Sequence, residues 1–129
     1  MLIINDLAMN KIPEIYSDAE RCPVRNILDR FGDKWSMLVL LLLSDVEVLR
    51  FNQIHKAIGN ISQKMLSVTL KNLEADGLVH RKVYPEVPPR VEYQLSERAI
   101  TLIPHIRGLV DWANEHYREI ETSRSGYGK

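Results

Sequence analysis

Between Ser62 and Lys71 the chain sets hydroxyl, amide, ammonium and small apolar side chains at helical spacing: Ser62, Gln63, Lys64, Met65, Ser67, Val68 and Lys71. No nucleophile–base pair and no pair of carboxylates stands among them. Such a set can donate and accept hydrogen bonds, neutralise an anion and touch a methyl group. A glutamine amide matches the N6/N7 edge of adenine, a lysine matches guanine or a phosphate, and methionine or valine fits the methyl of thymine. A second basic group, Arg81, Lys82 and Arg90, follows within two alternating segments. The alternative for each cation taken alone is a solvated surface charge. Together they describe a face suited to a polyanion.

Other chemistry is sparse. The four histidines, His55, His80, His105 and His116, have no metal-ligand spacing. No Ser/His/Asp set, phosphate-binding loop or dinucleotide fingerprint accompanies them. An enzyme is therefore not expected, and no cofactor or metal is implied. The one cysteine, Cys22, directly precedes Pro23. At a helix N-cap its thiolate gains from the positive end of the dipole, and Arg21 and Arg25 push the same way. It reads as either a redox-sensing thiol or a plain cap residue. With no second cysteine an internal disulfide is excluded, so a sensing thiol must pair with another subunit or a small thiol. Low cysteine use fits a cytoplasmic address.

The chain has 129 residues and a net charge of zero, which suits one compact domain. The neutrality hides segregation. Residues 1–49 sum to −3, residues 50–90 to +4 and residues 91–129 to −1. A basic middle can attract a polyanion whatever the total, because steering follows the local field. The longest apolar stretch, Met37 to Leu43, is seven residues, far below the roughly 20 that span a bilayer. No secretory leader is visible at the start, and no membrane partner is expected.

The elements that must position these groups follow from periodicity. Residues 1–20 lack a clean period and are read as an arm, with Pro13 breaking any long helix. Pro23 opens a helix with a Val24, Ile27, Leu28, Phe31 stripe that Gly32 stops. Lys34 to about Ser44 is apolar on nearly all sides, which places that helix centrally. Phe51 to Ile58 is a short helix and Gly59-Asn60 a turn. Ser62 caps a helix to about Asp76, ended by Gly77, with Leu66, Leu70 and Leu73 behind and the polar-basic residues in front. This is helix-turn-helix organisation.

A hairpin follows: Val79, Arg81 and Val83 alternate with polar neighbours, as do Val91, Tyr93 and Leu95. Three prolines between them stiffen the tip, so it reads as a wing. Ser96 caps a last helix to about Ile120, which Pro104 should kink or divide. Its apolar stripe outruns what one small domain can cover. Leu102, Ile106, Leu109, Val110, Ala113 and Tyr117 are expected to pair with a second copy. The domain is read as residues 21–121, with residues 122–129 a disordered tail. The fold class is mainly α with a small β-hairpin (α+β), a winged helix-turn-helix with a C-terminal dimerisation helix.

Several segments then stand in a familiar order: Cys22-Pro23-Val24, Gly32-Asp33-Lys34-Trp35, Arg50-Phe51-Asn52, Ile61-Ser62-Gln63-Lys64-Met65-Leu66, Leu73-Glu74-Ala75-Asp76-Gly77-Leu78, Tyr84 through Tyr93, and Leu95-Ser96. Over residues 21–120 the chain resembles the HxlR-type winged helix-turn-helix regulators, a bacterial group related to the MarR-type fold. The resemblance implies a cytoplasmic transcriptional regulator, usually a homodimer on double-stranded operator DNA. It also implies that a cysteine in the position of Cys22 serves some members as a thiol sensor. One departure is visible: Arg98-Ala99 stand where the family commonly has a glycine. The alternative reading is a winged-helix protein-interaction module that does not bind DNA. No residue identifies a small-molecule effector.

Overall fold

The computed structural model describes residues 14–18 and 20–128; the arm expected over residues 1–20 lies largely outside them. Two compact units result, Met1–Asp33 and Lys34–Lys129. The first holds a short 3-10 helix, Glu14–Ser17, and helix α1, Pro23–Phe31. Pro23 occupies the first turn of α1, where its missing N–H costs nothing. Cys22 is the N-cap, its Sγ accepting from the Arg25 N–H at 3.4 Å. Of the expected stripe only Phe31 is buried, while Val24, Ile27 and Leu28 are exposed. The helix is where periodicity puts it, but most of its apolar stripe is exposed among the described residues.

The second unit contains α2 (Lys34–Asp45), β1 (Leu49–Arg50), α3 (Phe51–Ile58), α4 (Gln63–Ala75), β2 (Val79–Tyr84), β3 (Arg90–Leu95) and α5 (Glu97–Gly126). Helix α2 packs against α3, α4, α5 and β3. It buries Val39, Leu40 and Leu43 against a core completed by Ile54, Ile61, Leu66, Leu70, Leu73, Leu78, Val79, Tyr93, Ala99 and Ile106. An all-round apolar helix has no other stable place in a small fold. The sheet is antiparallel in the order β1-β3-β2. The hairpin pairs Val79 with Leu95 and runs to Tyr84 opposite Arg90. The pairing of Leu49 with Tyr93 adds a third strand that alternation did not reveal.

Helix α5 runs through Pro104, which lies inside it without dividing it. It also continues beyond Ile120 to Gly126, through residues expected to be a disordered tail. Thr122 Oγ1 donates to the Arg118 carbonyl at 2.9 Å and Tyr117 Oη to Glu121 at 2.6 Å. Arg124 in the last turn suits the negative end of the dipole.

Candidate nucleic-acid interface

Helix α4 is defined at both ends by its own sequence. Ser62 Oγ accepts the Met65 N–H at 3.0 Å, satisfying a first-turn donor that would otherwise be orphaned. At the other end Gly77 adopts φ +73°. Its N–H reaches the Glu74 carbonyl at 3.0 Å and the Leu78 N–H reaches that of Leu73 at 2.9 Å. That is a Schellman closure, with Leu73 and Leu78 both buried beside it. Leu66, Thr69, Leu70 and Leu73 form the buried side. Thr69, which the leucine pattern does not include, is accommodated because its hydroxyl donates to the Met65 carbonyl at 2.8 Å.

The opposite side faces outward. Ser62, Gln63, Lys64, Met65, Val68 and Lys71 are exposed and Ser67 is half-buried. Packing of β2 on α4 brings two separate basic residues together. Ser67, Lys71 and Arg81, with Leu70, Glu74 and Tyr93, line a cleft of about 380 Å³. A hydroxyl and two cations in a cleft of that size can hold a phosphate, with Glu74 the one opposing charge. Sequence spacing does not show this meeting, because it is made by tertiary packing.

The wing carries contacts that its sequence alone does not show. Arg81, Lys82 and the tip residues 85–89 are exposed. Arg90 is not a free charge. Its guanidinium lies 4.0 Å from the Tyr84 ring centroid. It also lies 3.4 Å from the Glu86 carboxylate and 3.8 Å from that of Glu92. Lys82 Nζ stands 4.9 Å from the same ring. Arg90 therefore braces the hairpin, and Arg81 and Lys82 are its outward cations.

The residues expected to pair two subunits separate into two groups. Ile106 is buried in this chain's own core, so it is not part of an outward face. Leu102 and Val110 are half-buried. Leu109 and Tyr117 are each 58% exposed, and Ala113 is exposed too. Ile120, at the end of the same expected stripe, and Trp112, which is not part of it, share that exposure. Trp112 packs its ring 4.6 Å from His116. The Glu121 carboxylate beside the Tyr117 hydroxyl raises that phenol's pKa above its ordinary value. Cys22 is buried. Just before it, the Arg21 guanidinium holds the Asp18 carboxyl below the usual carboxylate range.

Among the described residues no helix is long and apolar enough to cross a membrane, and no His/Cys/Asp/Glu group could hold a metal ion. Residues 30–121 match the family model for HxlR-like helix-turn-helix proteins. An HTH-type transcriptional regulator of Bacillus subtilis, YybR, is 39% identical over 117 residues, spanning 91% of this chain and 93% of its own. Another from Halalkalibacterium halodurans, BH0655, is 47% identical over 90 residues, 70% of this chain and 80% of that one. The solved structure of the redox regulator HypR in its reduced form superposes with a TM-score of 0.72 at 39% identity, over 78% of this chain and 98% of that one. With its winged α+β fold, this chain belongs to the HxlR-like helix-turn-helix family and is a transcriptional regulator, not an enzyme.

Proposed function

We propose that the chain acts as a homodimer on a near-palindromic operator, with α4 in the major groove and the wing along the flanking minor groove. The observation that carries this reading is the outward face of α4, polar and basic from Ser62 to Lys71, converging with Arg81 on one cleft. Residues near the N-terminal end of a recognition helix reach base edges. Ser62, Gln63, Lys64, Met65, Ser67 and Val68 then read sequence, while Lys71 and Arg81 grip a phosphate between helix and wing. Arg81 and Lys82 face the minor-groove backbone. A protein-interaction module would carry apolar or acidic groups on that face, which the exposed Gln63, Lys64 and Lys71 do not supply.

The dimer rests on α5. Its stripe enters the core at Ala99 and Ile106, then runs on through Leu109, Ala113, Tyr117 and Ile120, uncovered by any described residue. A second copy laid along it would bury that face as paired helices do. Two recognition helices would then stand roughly one DNA turn, ~34 Å, apart. Selection of bound duplexes from a random pool tests the whole reading. An enriched inverted repeat is the expected result, and no enrichment overturns it.

Thiol response through Cys22 belongs to the same proposal, motivated by its N-cap position and by the likeness to HypR. Two thiols, Cys22 and one from a second subunit or a small thiol, would lose two protons and two electrons to the oxidant as the S–S bond forms. Burial of Cys22 means that the first turn of α1 must open first. Operator affinity before and after diamide, for the chain and for Cys22→Ser, tests it. Equal responses end the idea.

A further inference from the structure

A groove of about 680 Å³ lies between the end of α2, β3 and the first turns of α5, and none of its lining residues belongs to α4 or β2. Leu43, Leu95, Ile100, Ile103 and Pro104 make its body apolar. Ile100 is 59% exposed, so apolar surface is left open here. The volume falls within the roughly 300–1,000 Å³ of small-molecule sites.

The polar side chains of the groove are Ser44, Glu47 and Gln94, of which Glu47 alone is charged. Pro104 has no N–H, so the Ile100 carbonyl four residues back loses its usual helical donor. Both residues line the groove. Glu47 stands at its edge, exposed and in no ion pair with any described residue. The neighbouring cation is already committed: Arg107 pairs with Asp45 and donates to Ser44 Oγ at 2.7 Å. Gln94 adds an amide, and among the described residues no Lys, Arg or His lines the site. An apolar body with an unpaired carboxylate at its edge, and a carbonyl that lacks its helical donor, disfavours anions. It suits a positively charged, largely apolar molecule that carries N–H groups.

We propose that this groove binds a flat lipophilic organic cation bearing N–H donors, its apolar faces against Ile100, Ile103 and Leu43 and its charge toward Glu47. The site is independent of the operator reading, so it is tested without DNA. Rhodamine 6G, a cationic xanthene with two N–H groups, is titrated with the full chain and followed by fluorescence anisotropy. Saturable binding is expected. Glu47→Gln should weaken it roughly tenfold, the size of one lost charge-assisted hydrogen bond. Ile100→Trp, at an exposed position the fold tolerates, should fill the groove and remove binding. Fluorescein, an anionic xanthene of similar shape, should not bind. The proposal is overturned by non-saturable binding, by equal affinity in both variants, or by fluorescein binding as tightly. It falls equally if Ile100→Trp changes the sedimentation mass while dye affinity stays, since the groove would then be a contact between copies.

Discussion

Ser96 Oγ donates to the Gly77 carbonyl at 2.7 Å while accepting the Ala99 N–H at 3.1 Å. One buried hydroxyl thus joins the turn that ends α4 to the turn that begins α5, and the Ser96 N–H adds a bond to the Leu78 carbonyl at 2.9 Å. The DNA-facing helix and the long C-terminal helix share a joint rather than a flexible linker. Ser96→Ala should remove the cap and leave the Gly77 carbonyl short of a donor, a loss of about 2 kcal/mol in urea unfolding. Ser96→Thr keeps the hydroxyl and should restore most of it. Equal losses for both substitutions would mean that packing, not the hydrogen bonds, holds the joint.

Gly77 and Arg98 make the second half of this joint. Arg98 Nη1 donates to the Asp76 carbonyl at 3.3 Å, and a Cβ built on Gly77 would lie 2.8 Å from that nitrogen. A side chain at residue 77 meets a strained backbone whatever the space, because φ is +73°. Gly77→Ala should cost about 1–2 kcal/mol from the left-handed backbone alone. Adding Arg98→Ala removes the clash but not the φ penalty. Thermal unfolding of the double variant should therefore recover little. Full recovery would assign the cost to Arg98 instead.

Salt dependence separates the basic residues by what already neutralises them. Lys71 is exposed and shares a cleft with Arg81, whereas Arg90 lies between Glu86, Glu92 and the Tyr84 ring. Lys71→Ala should reduce the slope of log affinity against log salt by about 0.9, one phosphate's worth. Arg90→Ala should leave the slope unchanged and lower the unfolding midpoint, and Arg90→Lys should not rescue it because the planar stack is lost. A slope drop for Arg90→Ala would place its guanidinium on DNA after all.

Several of these relationships could be read before folding, and the reasons divide cleanly. The span of α3 and the Ser62 cap of α4 were legible because capping and glycine termination are local. The two hairpin strands were legible because alternation has period two, although that pattern does not name the pairs they form. Strand β1 has only two residues, too few to show any period. The meeting of Lys71 with Arg81 was hidden because β2 must first pack on α4. In α1 the apolar stripe predicted the helix, but periodicity cannot say whether Val24, Ile27 and Leu28 find a cover. The partners of Arg90 were hidden for a related reason: they come from both the tip and β3.

Leu109 and Ile106 occupy the same stripe of α5 and should respond oppositely to a charge. Leu109 is 58% exposed and Ile120 49%, so Leu109→Glu with Ile120→Glu should leave the folded subunit within about 0.5 kcal/mol of the parent, as for other surface changes. If that face joins two copies, light scattering should report the monomer mass and operator affinity should fall at least ~100-fold, because a single half-site is then engaged. Ile106 is 4% exposed, and Ile106→Glu buries an unpaired carboxylate, which should unfold the chain rather than dissociate it. Circular dichroism distinguishes the two outcomes. A double glutamate variant that stays dimeric with unchanged affinity would move the subunit contact off this face.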